Sequence, residues 1–226
     1  MTPKRSKADT KAPKRPPSKA KAAAGKEPER SPNQAKPAAG KEVERSPRER
    51  MVRAAAQLLS ERGLAGTSFS EVIERSGAPR GSIYHHFPDG KESLTAEAIA
   101  LVGDRVLTLL RLRDATSPRQ VVRRFIEAFR HVLVKSEYQA GCAIAAVGVE
   151  RLEHPQLGAL AAAVFVVWER ELHEAFRASG LADPKAKAAA SLVLAALEGA
   201  LILCRARHEV APLDAVGDAL DAFVGD

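Results

Sequence analysis

From residue 48 onward, apolar side chains recur at intervals of three and four, the spacing that gathers them on one face of an α-helix. Met51, Val52, Ala55, Leu58 and Leu59 form the first such stripe. Ser46-Pro47-Arg48-Glu49 precedes it and supplies an N-cap serine, a proline at the first helical position and a glutamate two residues further on. Gly63 closes the stripe, so a helix is predicted over about 48–62. Ser68 with Glu71 repeats the capping signal, Val72 and Ile73 share the inner face, and Gly77 stops this second helix. Ala78-Pro79 makes the turn, and a third short helix is predicted from about Arg80 to Phe87, ended by Pro88. Two short helices joined by a glycine-containing turn are the helix-turn-helix pattern.

Longer stripes follow. Leu94, Ala98, Leu101, Val102, Val106 and Leu109 predict a helix over about 91–113. Ser117 caps the next, which carries Val121, Val122, Phe125, Ile126, Phe129 and Leu133 and runs to about Glu137. A short helix over about 144–151 comes after Gly141-Cys142. Pro155 opens a long one with Leu157, Leu160, Ala161, Val164, Trp168, Leu172 and Phe176, terminated by Gly180. Asp183-Pro184 opens another to about Arg207, and Leu213 to Val224 makes the last. No segment alternates convincingly with period two. The fold predicted is all-α with about nine helices.

Composition agrees with packed helices: 45% of residues are hydrophobic but only 4% aromatic, and alanine and leucine dominate the apolar set. The net charge of +7 is not spread evenly. Residues 1–46 hold 13 Lys+Arg against 5 Asp+Glu, which leaves 22 against 23 for the remainder. Any DNA affinity of the folded part therefore rests on the placement of a few cations. The first 46 residues lack an apolar face and are expected to form a disordered basic tail. Within it AAGKEPERSP at Ala23–Pro32 recurs as AAGKEVERSP at Ala38–Pro47. A basic arm that adds non-specific phosphate affinity and a solubilising extension are both compatible with that tail.

Cys142 and Cys204 lie 62 positions apart without metal-ligand spacing, so both are expected as small buried side chains in a reducing cytosol. Met1 is not followed by the apolar core of a signal peptide, and no uninterrupted apolar run approaches the ~18 residues needed to span a bilayer. A cytoplasmic, nucleoid-associated protein with no membrane partner is expected. No GxSxG, HExxH or P-loop occurs, and Glu169 with His173 reads as a surface ion pair. The chain is not expected to be an enzyme, and no catalytic residue, cofactor or metal is assigned.

In a helix-turn-helix the second helix enters the major groove with its N-terminal side chains near base edges. That assigns Pro79, Arg80, Ser82, His85 and His86 to the DNA side, with Gly81 permitting close approach to DNA or to the second helix. Arg80 suits bidentate contact with guanine, and equally a phosphate. Tyr84, His85 and Lys91 suit phosphates, while Ile83 and Phe87 hold the helix against Leu58, Val72 and Ile73. The alternative for Tyr84, His85 and His86 is a polar surface without a ligand.

Ala55, Leu58, Gly63, Thr67, Gly77, Tyr84, His86, Phe87 and Lys91 together resemble the N-terminal signature of the tetracycline-repressor (TetR) family of bacterial regulators, over residues 48–94. The resemblance implies that Thr67, Tyr84, His86 and Lys91 touch phosphates and that Arg80, Ser82 and His85 face the groove. Pro88-Asp89-Gly90 is one residue longer than the usual link to the lysine. The longer link, Gly141 to Val147, Trp168, Leu197-Glu198-Gly199-Ala200 and Pro212-Leu213 resemble the LmrA/YxaF-like branch. Domains are accordingly expected at 47–94 for DNA binding and 95–226 for ligand binding and dimerisation.

Phe125, Phe129, Cys142, Val149, Phe165, Trp168 and Leu172 lie on the helices where the family keeps its ligand, although each also reads as core. Ala188, Leu192, Ala195, Ala196, Gly199 and Leu203 form a small-residue face, which the resemblance turns from internal packing toward a two-fold four-helix interface. Glu198 within that run needs a partner, for which Arg205 or Arg207 is available. The function implied is a homodimeric repressor, released from double-stranded operator DNA by a small apolar molecule. A constitutive DNA-bound factor of the same fold is the alternative.

Overall fold

The computed structural model describes residues 45–110 and 115–225 of the chain. The expected disordered tail lies outside the described residues, apart from Arg45 and Ser46. Nine helices are present among the described residues, and no strand. They are α1 (Pro47–Arg62), α2 (Phe69–Ser76), α3 (Ser82–His86), α4 (Lys91–Leu110), α5 (Pro118–Lys135), α6 (Ala143–Gly148), α7 (Pro155–Ala178), α8 (Asp183–Arg207) and α9 (Ala211–Gly225). The described residues form one compact unit, in which α4 packs on both α1 and α7.

Both N-terminal capping boxes form. The Ser46 and Ser68 hydroxyls each accept from the amide three residues on, and the Glu49 and Glu71 carboxylates return the bond to the capping residues' own amides. Gly63 and Gly77 both take positive φ, 71° and 61°, where a side chain is strained. These signals are local, so helix ends follow the sequence closely.

Elsewhere tertiary context moves the boundaries. α3 begins at Ser82 rather than Arg80, because the Ser82 amide bonds back to the Pro79 carbonyl at 2.9 Å and makes a turn of the intervening residues. It ends at His86, since Phe87 precedes Pro88 and is pushed out of the helical region, to φ −133° and ψ 68°. α5 stops at Lys135 because Glu137 and Tyr138 turn to positive φ, letting the Tyr138 amide reach the Leu133 carbonyl at 2.9 Å. α6 is one turn and a half, Ala143–Gly148, shorter than expected. The end expected for α4 falls at residues 111–114, outside the described residues.

The core runs from the N-terminal helices into the larger bundle. Ile83 and Phe87 are 1% exposed and pack with Leu58, Val72 and Ile73, as expected. Trp168, Leu172 and Phe176 of α7 are fully buried, with Phe125 of α5 beside them in the same cluster. α5 and α9 are also tied by charge: Arg123 pairs with Asp218 and Asp221 at 2.7 and 2.6 Å, and Arg130 pairs with Asp214. By length and composition α8 is apolar enough to cross a membrane, with a mean hydropathy of 1.8 over its most apolar stretch, although no uninterrupted run marks it in the sequence. It carries Glu198 in that stretch and buries one face in the bundle, through Val193, Leu197 and Cys204.

Candidate nucleic-acid interface

α3 divides its side chains by face. Ile83 points into the core, whereas Tyr84 is 68% exposed, His85 is exposed and His86 half-exposed. Arg80 and Gly81 are exposed on the turn that leads into the helix, and Ser82 is half-buried with its hydroxyl donating to the Pro79 carbonyl at 2.6 Å. A methyl group added at Gly81 meets nothing, so no approach to α2 requires the glycine; its open surface faces outward. The Tyr84 ring rests edge-on against Phe69 of α2, 5.6 Å between centroids, and the His85 and His86 rings meet at 5.4 Å. These contacts orient the exposed groups without consuming the phenol or imidazole hydrogen-bonding atoms. The result is a turn and short helix that expose the Arg80 guanidinium, the Tyr84 phenol and the His85 imidazole to solvent.

Two residues expected at phosphates make hydrogen bonds within the chain. Thr67 is 1% exposed, and its hydroxyl donates to the Gly63 carbonyl at 2.8 Å, closing the turn between α1 and α2. Lys91 is half-buried and its ammonium donates to the Leu64 carbonyl at 2.6 Å. Both side chains therefore bond into the turn after α1, Thr67 at the Gly63 carbonyl and Lys91 at the Leu64 carbonyl, which also accepts the Thr67 amide at 3.2 Å.

The turn is gripped from the other side as well. The Glu150 carboxylate, between α6 and α7, accepts the Leu64 amide at 3.2 Å. Arg205, near the end of α8, donates to the Glu61 carbonyl at 2.9 Å, and the Gly141 amide donates to the Ser60 carbonyl at 2.7 Å. A Cβ at Gly141 would sit 2.8 Å from the Arg205 guanidinium, so the glycine leaves room for that arm. Sequence reasoning found none of these links, since the partners stand far apart in the chain. Arg205 is thus engaged with α1, and Arg207 pairs with Glu209 at 3.7 Å, so neither serves Glu198.

Glu198 instead faces Cys142, with one carboxylate oxygen buried and unpartnered. Burial pushes its carboxyl above the ordinary 4.5, against the hydrogen bond from Cys142. Burial likewise raises the Cys142 thiol well above its ordinary range, with the Glu198 charge adding to it. Glu169 is also not paired with His173: it accepts from the Ser191 hydroxyl, while His173 meets Asp183 at 3.1 Å.

Of the residues expected at a ligand pocket, Phe125, Phe129, Phe165 and Trp168 make edge-to-face contacts of 5.3 to 6.5 Å and pack as core, with Cys142 and Leu172 buried near them. Val149 does not join them. It is 83% exposed, because α6 ends at Gly148 and the chain turns outward. A cavity of about 250 Å³ lies instead between α4 and α7, and it shares only Trp168 with the expected set. Glu150, Glu153 and His154 bring their ligand atoms within 4.8 Å of one another, but Glu150 is already committed to the Leu64 amide.

The residues expected at a subunit interface form one outer strip of α8. Ala188, Ala195 and Gly199 are exposed, Leu192 and Leu203 are 41% and 44% exposed, and Ala196 is half-buried. Ile202, at 68% exposure, extends the strip, and Phe223 of α9 is a further exposed apolar group.

Comparison with known proteins agrees with this arrangement. Residues 51–98 match the model of the tetR family of bacterial regulatory proteins, and residues 118–219 match the C-terminal domain of LmrA/YxaF-like transcriptional regulators. An HTH-type transcriptional regulator of Mycobacterium tuberculosis is 39% identical over 174 residues, 74% of this chain and 89% of the relative. The regulator LmrA of Bacillus subtilis is 28% identical over 168 residues, 73% of this chain and 89% of its own. The crystal structure of a TetR regulator from Legionella pneumophila superposes with a TM-score of 0.73 at 21% identity, covering 80% of this chain and 98% of the other. The chain is therefore a transcriptional regulator of the tetR family, with an LmrA/YxaF-like C-terminal domain.

Proposed function

We propose that the chain is a homodimeric, effector-responsive repressor in the bacterial cytoplasm that binds a palindromic operator through α3 of each subunit. The observation that carries the reading is the division of α3 into a buried Ile83 face and an exposed Tyr84 and His85 face, with Arg80 exposed on the turn that leads into it. Two such helices in successive major grooves stand about 34–36 Å apart, and the exposed strip of α8 with α9 supports a two-fold pairing that fixes this distance. Arg80 and Ser82 are assigned to base edges, Tyr84, His85 and His86 to phosphates, and Thr67 and Lys91 to holding the turn from which the helices are hung.

The coupling follows from α4. Its first residue holds Leu64, and its Glu97 pairs with Arg48 of α1, so displacement of α4 moves the DNA-reading unit. An effector bound against α4 then changes the spacing of the two α3 helices. Reciprocity supplies the test: operator DNA must weaken effector binding by the same factor by which effector weakens operator binding. A compound found by thermal-shift screening is titrated with and without operator. Equal affinities contradict the effector-responsive reading and favour constitutive DNA binding.

A further inference from the structure

At Gly103 α4 packs directly on α7: an added Cβ would lie 3.3 Å from both methyl groups of Val164. Beside this contact is the 250 Å³ cavity. Its α4 wall carries Ala100 and Gly103, so the surface there is low and flat, and its α7 wall carries Leu160 and Val164. Trp168 forms the inner end and is itself fully buried. Leu160 is 44% exposed and Asp104 is exposed, so the cavity opens to solvent on their side.

The polar inventory of this cavity is short. The Trp168 indole N–H, the one donor its apolar wall offers, is taken by the Gly103 carbonyl at 3.2 Å. That same bond occupies the carbonyl exposed by the glycine. Asp104 remains, and its carboxylate makes no ion pair or hydrogen bond with the described residues. An apolar trough whose only uncommitted polar group is an anion rejects a carboxylate or phosphate, satisfies no acceptor-rich ligand, and complements an apolar body that carries one positive end.

We infer that the α4–α7 cavity is a binding site for a flat organic cation of about two fused rings. The rings lie beside the Gly103–Val164 contact, against Ala96 and Ala100 of α4 and Leu160 of α7, and the positive group meets Asp104 at the mouth. This rests on the reading of the chain as an effector-responsive regulator and names the chemistry of the effector. The position suits that role, since the ligand wedges against the helix whose first residue holds Leu64.

Isothermal titration of the full chain, without DNA, with 2-naphthylmethylammonium, 2-naphthylmethanol and 2-naphthoate varies the charge on one ring system. The ammonium is expected to bind about fivefold tighter than the alcohol, as befits an ion pair open to solvent, and the carboxylate more weakly than either. Asp104→Asn is expected to erase the preference for the ammonium and keep the affinity for the alcohol. Ala100→Phe, at an exposed position, is expected to weaken all three while circular dichroism shows the helices unchanged. Equal binding of the three, tighter binding of the carboxylate, a preference that survives Asp104→Asn, or no binding up to the solubility limit overturns the inference. Adding operator DNA separates the two readings: an ammonium that binds as described and leaves operator affinity unchanged contradicts effector response and leaves the site standing.

Discussion

The Lys91 ammonium and the Leu64 carbonyl, 27 residues apart, meet in a 2.6 Å hydrogen bond that joins the start of α4 to the turn after α1. On the proposed reading this lysine positions the DNA-reading helices and touches no phosphate. Lys91→Met should lower stability by about 1–2 kcal/mol and weaken operator binding. The slope of log affinity against log salt should stay the same, because no phosphate contact is lost. A slope reduced by about one identifies Lys91 as a phosphate contact instead.

Arg80 and Tyr84 should separate by the kind of loss. Arg80→Ala is expected to relax base preference at one operator position, worth about 1–3 kcal/mol of discrimination. Tyr84→Ala should weaken all sequences alike. Binding to a set of single-base operator variants reads both, and uniform loss on Arg80→Ala reassigns that guanidinium to the backbone of the DNA.

Glu198 gives a dependence on pH. Its native-state carboxyl titrates above the ordinary 4.5, so the folded chain holds this proton where the unfolded chain releases it. Stability from this group is complete below pH 4.5 and falls as pH rises through the native value. Glu198→Gln keeps the size and removes the charge. It should raise the melting temperature at pH 8, with a gain on the order of 1 kcal/mol that shrinks toward pH 4. A gain independent of pH contradicts the assignment.

The outer strip of α8 should be where two subunits meet. Ile202→Arg places a charge at a 68% exposed position, harmless to a monomer and costly in an apolar interface. Sedimentation should then show a monomer with an unchanged helical spectrum. A variant that remains dimeric moves the interface elsewhere.

What was legible in the sequence was what is decided locally. Ser46 with Glu49 and Ser68 with Glu71 declare their helices within four residues, and Ile83 and Phe87 declare the inner face of α3 by spacing. The links that hold the DNA-reading unit were not legible. Glu150 reaches Leu64 across 86 positions and Arg205 reaches Glu61 across 144, and no periodicity encodes which distant charge arrives at a given helix end. Thr67 and Lys91 show the same limit, since nothing in the sequence announces their bonds to the Gly63 and Leu64 carbonyls. The cavity escaped for a different reason: aromatic residues marked the interior, while the space lies over the small side chains of Ala96 and Ala100.

Whether the chain reads DNA as a two-fold dimer through α3 is decided by selection of tight binders from random double-stranded DNA with the full chain. Enrichment of a two-fold-symmetric sequence with half-site centres about 34–36 Å apart is expected, with loss of one specified base per half-site for Arg80→Ala. A selection that enriches no symmetric sequence, or the same sequence for the wild-type and Arg80→Ala chains, contradicts two-fold reading through α3.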